Sequence, residues 1–253
     1  MDEILRNRDF MKCPVMDDEE LQSDEYKKIP HPPLNKAATG EVIELPAFEG
    51  VVTRDAYTDL LDLRRSERVF SDTPLTGEQL AFLLWSAQGI QAFRGAHSQA
   101  SLRPAPSGGA RHPFEIYITV RNVEGLKPGL YHYLPLLHVG EKRVAVEYLG
   151  FIPDYGSRVT DMLAGQKWGS LGPVVLFFTC VAYRAEWRYR EAAHRVMLID
   201  LGHAGQNVML SACALGLGSC CIAAFDTALC DEVLGVDGTD EYTVYAIPVG
   251  KVK

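Results

Sequence analysis

Apolar positions along the chain fall into three patterns: helical spacing, strict alternation and one continuous run. Asp55 to Arg65 predicts a helix carrying Tyr57, Leu60, Leu61 and Leu63, and it ends in an arginine cluster. Thr76-Gly77-Glu78-Gln79 has the capping-box pattern, and Leu80, Leu83, Leu84 and Ala87 follow at helical spacing until Gly89. Phe114 to Val120 alternates as a strand, and a turn at Lys127-Pro128-Gly129 leads to strands at Leu130–Tyr133 and Val144–Tyr148. Pro173 to Val181 is a continuous apolar run, the pattern of a central strand buried on both faces. Arg190 to Leu215 predicts a long, largely buried helix whose Gly202, Ala204 and Gly205 allow close packing. Ser219–Ala223 and Tyr242–Val249 read as strands, with a short helix from Thr227 to Leu234 between them. Helices and strands mix without regular βαβ alternation, which favours one α+β domain over residues 53–253. Residues 1–52 are polar and dotted with proline, and read as an extended arm that gains order by wrapping a body or a partner subunit.

Composition narrows the classes of function. Of 253 residues, 47% are apolar and 23% charged, as in an ordinary globular protein. The formal charge of 25 − 33 = −8 argues against general nucleic-acid binding but leaves room for a local cationic pocket. No apolar run reaches the roughly 20 residues that span a bilayer, so no membrane partner is expected. The charged start, Met1 to Arg8, lacks the apolar core of a signal peptide. Cys13, Cys180, Cys213, Cys220, Cys221 and Cys230 show no CxxC or zinc-like spacing, which fits reduced thiols and a cytoplasmic location.

Three segments carry candidate chemistry. Pro106-Ser107-Gly108-Gly109-Ala110-Arg111-His112-Pro113 is a short loop whose glycines let main chain approach a ligand. Arg64-Arg65-Ser66-Glu67-Arg68 offers guanidinium forks and a hydroxyl to an anion. Gly216-Leu217-Gly218-Ser219-Cys220-Cys221-Ile222-Ala223-Ala224 offers a second small-residue surface. Each has a plain alternative: a solvated helix end, a tight turn, a core strand. Together they suit a flat, phosphorylated cofactor. The dinucleotide fingerprint, the P-loop, HExxH and any carboxylate cluster for a catalytic metal are absent from the sequence.

With these segments in order, the chain resembles the FMN-dependent nitroreductase family, and within it the branch of SagB-type and azoline dehydrogenases. The resemblance runs from about residue 29. It includes Arg64–Phe70, Leu83–Gly89, Pro106–Pro113, Gly125–Tyr133, Gly202–Asn207, Gly216–Gly218 and Pro248–Gly250. It implies a nitroreductase-like α+β fold, a central mixed or antiparallel sheet flanked by helices, and an interlocked homodimer with FMN at the interface.

By the same resemblance Arg64, Arg65 and Ser66 hold the phosphate and ribityl end, and Arg68 reaches toward the ring. Pro106, Ser107, Gly108 and Gly109 line the ring from the other subunit, and Gln166 meets its pyrimidine edge. Cys221, Ile222, Ala223 and Ala224 run beside the ring, with a backbone N–H of Ala223 or Ala224 toward flavin N5; Lys251 and Lys253 supply late contacts to phosphate. Trp168, Tyr183 and Phe151 are candidate walls for a small-molecule acceptor. The implied reaction is ping-pong, NAD(P)H to flavin and then flavin to a nitro, quinone or activated-alkene acceptor, with no side-chain nucleophile. Two departures bear on it. Ala223 stands where many members have an acidic residue, and Arg188-Tyr189 stands where the azoline-forming branch has Lys-Tyr. Arginine does not give up a proton near neutrality, so peptide azoline oxidation ranks second, with Tyr189 as its proton donor. A non-catalytic flavin-binding module is the third reading.

Overall fold

The computed structural model describes residues 21–95 and 99–253, together with Arg8, Phe10 and Lys12. Most of the first 20 residues of the arm, with Cys13, lie outside the described residues. The elements are β1 (Glu41–Leu45), α1 (Tyr57–Leu63), α2 (Gly77–Gln88), β2 (Ala92–Arg94), β3 (Ala100–Leu102), β4 (Phe114–Val120), β5 (Gly129–Tyr133) and β6 (Val144–Gly150). There follow α3 (Tyr155–Met162), α4 (Lys167–Ser170), β7 (Val174–Val181), α5 (Tyr183–Tyr189), α6 (Ala193–Ala214), β8 (Gly218–Ser219), α7 (Thr227–Leu234) and β9 (Glu241–Gly250). Seven strands form one sheet in the order β1-β6-β5-β4-β7-β9-β8, and every neighbouring pair is antiparallel.

The apolar run of β7 is divided by the pleat between two cores. Val174, Leu176, Phe178 and Cys180 face α2 and α6, which add Leu80, Leu83 and Leu84, and Met197, Leu201, Ala204 and Val208. Val175 and Phe177 face the opposite side, where α3 and α7 add Val159, Met162, Cys230 and Leu234. Each of the buried Val, Leu, Phe and Met side chains among these stabilises the fold by roughly 1.5–3 kcal/mol. The start of α2 follows the sequence reading closely: Thr76 Oγ1 accepts from Gln79 N, and Gln79 Oε1 accepts from Thr76 N.

Four local expectations change. Helix α1 is shorter than Asp55–Arg65 and buries none of its residues; Tyr57, Leu61 and Leu63 are exposed. The long helix starts at Ala193, because α5 ends at Arg190, whose φ of +48° breaks the helical path. The strand expected over Ser219–Ala223 is only Gly218–Ser219, with a bridge from Ile222 to Ala246. The register Gly218↔Gly250 and Ser219↔Val249 next opposes Cys220 to Pro248, where Cys220 N donates to Pro248 O but the proline has no N–H to return, so the ladder is interrupted; it resumes at Ile222↔Ala246, and Ala223 and Ala224 lie beyond that last pair. β1 lies in the stretch read as arm and pairs with β6.

The rest of residues 21–40 runs over the body through polar contacts. Asn35 Nδ2 and Lys36 N donate to Glu115, and Thr39 N and Gly40 N donate to Glu147. His132 bridges the two carboxylates, Nε2 to Glu115 at 3.1 Å and Nδ1 to Glu147 at 2.9 Å. Nearer the N-terminus, Trp187 Nε1 donates to Ile29 O, and Arg188 pairs with Glu25.

Candidate functional site

The segment after α1 is pinned to the β8–β9 edge by main-chain bonds, Glu67 N to Ser219 O and Ser71 N to Lys251 O. This places the arginine cluster against the small-residue surface. Arg64 and Arg65 line a cavity of about 210 Å³ together with Arg54, Gly216, Gly218, Ser219 and, from α6, Met209 and Cys213. Lys251 Nζ donates to Gly216 O on the cavity wall. Lys253 is fixed only through its main chain, N to Val69 O. Among the described residues no carboxylate pairs with Arg64, Arg65, Arg68 or Lys251, whereas Arg121, Arg158, Arg184 and Arg188 are each ion-paired. Arg65 and Arg68 are exposed, and Nη1 of each donates to main chain, to Arg64 O at 2.8 Å and Ser66 O at 3.2 Å, which leaves their other N–H groups open to an anion.

From this cavity the site continues along one face. The Arg68 guanidinium lies 5.5 Å from the ring centre of Trp168. Gln166 Nε2 donates to Leu163 O and to Ala224 O, at 3.1 and 2.7 Å, which leaves Oε1 as an acceptor. Ala223 and Ala224 are exposed, and their N–H groups donate to nothing among the described residues. Cys220 and Cys221 flank this stretch. Burial raises both thiols above the ordinary range, so neither is a reactive thiolate at neutral pH. Ile222 is buried in the second core.

The Pro106–Gly109 loop is elsewhere in the same chain. Ser107 Oγ and Gly108 N both donate to Asp200 on α6. A Cβ on Gly108 would collide with Val196, and one on Gly109 would lie 2.6 Å from Arg188 Cδ and 2.7 Å from the Tyr189 hydroxyl. These glycines therefore permit contact with the chain's own helices. The same packing brings Arg188 and Tyr189, far off in sequence, against the loop. Asp200 and Met209 are nine residues apart, or about 14 Å along a helix axis.

Of the three aromatic candidates, Trp168 alone joins the face described above. Tyr183 donates to Asp24, and Phe151 is 69% exposed at a different cavity. Asp200 was not singled out by the sequence, although a signal exists: a carboxylate among Met197, Leu201 and Ala204 on the apolar stripe of α6. Among the described residues there is no metal-binding cluster, and no helix is long and apolar enough to cross a membrane.

Comparison with known proteins bears on the family and the fold. The model of the nitroreductase family matches residues 61–251. A protein of Methanocaldococcus jannaschii named as a nitroreductase is 32% identical over 83% of this chain and 96% of its own length. The trifolitoxin-processing protein TfxB of Rhizobium leguminosarum bv. trifolii is 32% identical over 58% of this chain and 39% of its own length. The microcin B17-processing protein McbC of Escherichia coli is 26% identical over 83% and 75%. Among solved structures, one described as a nitroreductase from Anabaena variabilis superposes with a TM-score of 0.62 at 27% identity. It covers 77% of this chain, which spans 38% of that longer one. The E. coli microcin synthetase McbBCD complex shares the fold, with a TM-score of 0.58 at 21% identity over 97% of this chain and 86% of that one.

Proposed function

Because this chain belongs to the nitroreductase family, we propose that it is an FMN-dependent oxidoreductase that takes electrons from NAD(P)H and passes them to a small electron-poor acceptor. The observation that carries the reading is the cavity lined by Arg54, Arg64, Arg65, Glu67, Gly216, Gly218 and Ser219, with Lys251 on its Gly216 wall, where among the described residues neither Arg64 nor Arg65 is ion-paired. The donor set fits FMN end to end. Arg64 and Arg65 offer forks to a phosphate, with Ser66 adding a hydroxyl. Gln166 Oε1 is left to accept from an imide N–H such as that of a pyrimidine edge. The N–H groups of Ala223 and Ala224, without a partner among the described residues, would donate to a ring nitrogen of the bound group. When bound, FMN supplies hydride and electron transfer, which no side chain here could supply. The chain's own part is to orient, and to place donors and positive charge where an anionic reduced ring is favoured.

The two parts of the site lie at different points of α6, which has an exposed and partly apolar face. Leu198 and Ile199, just before Asp200, are 56% and 54% exposed, and Gly202, His203 and Gln206, between Asp200 and Met209, are exposed as well. A second copy packed antiparallel across that face would set its Ser107–Gly109 loop against the Arg64 cavity of the first, completing the site as a homodimer.

One observation favours a second reading, oxidation of an azoline in a processed peptide. Arg188 and Tyr189 abut the Gly109 loop, and two of the relatives are peptide-toxin processing proteins. Tyr189 could then hold a proton for substrate, while Arg188, ion-paired to Glu25, could not act as a base.

The test is spectroscopic. Purified protein should be yellow, release FMN on denaturation, and bleach anaerobically with NADH or NADPH. Arg64→Ala should weaken FMN binding by about 30-fold, on the order of 2 kcal/mol for a charge-assisted contact. A colourless protein that cannot be reconstituted with FMN, or unchanged retention in Arg64→Ala, would refute the assignment.

A further inference from the structure

We propose that Asp200 is a positioning residue for the cofactor site, holding the Ser107–Gly109 loop in its working conformation without touching the ligand. The inference rests on the reading of that loop as one wall of the flavin site. Asp200 is 6% exposed on the apolar stripe of α6, and no lysine or arginine pairs with it among the described residues. Burial accordingly raises its pKa, with Ser107, Gly108 and His203 pulling the other way. A carboxylate in such a place is costly, and an apolar side chain would pack there without that cost.

What Asp200 does hold is the loop. Ser107 Oγ donates to Oδ2 at 2.7 Å, and Gly108 N lies 3.0 and 3.2 Å from Oδ2 and Oδ1. Ser107 Oγ in turn accepts from His112 N at 2.9 Å, so one carboxylate ties both ends of the turn. The turn needs tying. Gly109, Ala110 and His112 all have positive φ, of +57°, +53° and +43°, a conformation that residues with a Cβ adopt only when the surroundings impose it. Val196, one turn before Asp200 on the same face of α6, packs with Arg188 and Tyr189 so closely against the turn that a side chain at Gly108 or Gly109 would not fit. Without the carboxylate the turn loses its tie to α6 and is free to relax from the conformation that would wall the flavin ring.

The experiment compares Asp200→Asn, Ser107→Ala and the double variant in the FMN-loaded protein. It reads the FMN dissociation constant by fluorescence, the visible circular dichroism of bound FMN, and the melting temperature of the apoprotein. Each single change should weaken FMN binding by about tenfold or more, since each removes a hydrogen bond to a charged group. The double variant should lose clearly less than the sum of the two single losses, because the Ser107–Asp200 hydrogen bond is common to both, while Gly108 N and His112 N are each held by one of them alone. The dichroism band should change in each, which a purely structural loss would not cause. Should Asp200→Asn fail to fold, Ser107→Ala reads the same contact. Unchanged binding and dichroism in the variants, with Arg64→Ala still releasing FMN, would overturn the role of Asp200 and leave the flavin reading standing. Additive losses in the double variant would also overturn it. Unchanged retention in Arg64→Ala as well would bring both down.

Discussion

Replacing Glu115 by Gln tests whether the arm is held by charge. The Glu115 side chain is fully buried and accepts four hydrogen bonds, from Arg184 Nη2 at 2.6 Å, Lys36 N at 2.8 Å, and Asn35 Nδ2 and His132 Nε2 at 3.1 Å each. Burial alone would raise its pKa, but the Arg184 guanidinium and His132 reverse that and hold it at about 2. Arg184 depends on it heavily: its Nη1 has no partner among the described residues, and Nε is spent on Pro33 O. A neutral amide would leave a buried guanidinium without its counter-charge, which costs about 3–5 kcal/mol. At roughly 2–4 °C per kcal/mol for a chain of this size, the melting temperature should fall by on the order of 10 °C. The damage should be local before it is global. Two of the four donors belong to the arm, and Thr39 N and Gly40 N bind Glu147, which shares His132. Amide hydrogen exchange at Lys36, Thr39 and Gly40 should therefore accelerate well below the unfolding midpoint, while the amides of β7 keep their protection. A variant within about 1 kcal/mol of the parent in urea, with unchanged exchange at those three amides, would refute the reasoning.

The same cluster sets a pH dependence. Burial opposes the charge of Glu147, but the His132 hydrogen bond and the Gly40 and Thr39 N–H groups bring its pKa down to about 2. Its contribution is thus present above the ordinary 4.5 and lost as pH falls toward 2. His132 moves the other way: burial would lower it, but hydrogen bonds to Glu115 and Glu147 raise it above 6.5. That contribution is complete below 6.5 and lost as pH rises through the raised value. Urea midpoints should therefore be highest between about 4.5 and 6.5 and decline on both sides, and a midpoint independent of pH would contradict the pairing. At α2, Thr76→Ala removes one half of the capping box and should cost about 1 kcal/mol by urea unfolding. A loss below about 0.3 kcal/mol would mean that packing alone sets the helix start.

The parts of the fold that were legible in the sequence are those in which local chemistry and tertiary context agree. Strand β4 and helix α7 have the expected boundaries because alternation and an N-cap at Asp226 each suffice. The run at β7 was legible as doubly buried because no polar residue interrupts it until Thr179. What was not legible depended on a distant partner. The end of β8 is set by a proline 28 residues later, on the strand it pairs with. β1 is held by register with β6, about a hundred residues away, and its Glu-Val-Ile-Glu-Leu has no clean alternation. The exposure of α1 followed from nothing local, since its leucines look like a core stripe.

For the candidate site the division is sharper and bears on the reading of its glycines. Small residues in a loop suggest room for a ligand, yet at Gly108 and Gly109 that room is filled by Val196, Arg188 and Tyr189 of the same chain. The loop's conservative feature is thus its attachment to α5 and α6. By contrast, among the described residues no carboxylate pairs with Arg64, Arg65, Arg68 or Lys251, although Arg65, Arg68 and Lys251 each donate to a main-chain carbonyl, and the N–H groups of Ala223 and Ala224 have no partner there. These groups are open to solvent, so a ligand with matching acceptors can take the place of water on them without breaking a contact within the chain. The weight of the functional argument therefore belongs on the cationic edge of the sheet. The glycine loop enters as a scaffold whose position is governed from α6 by a carboxylate with no cation of its own.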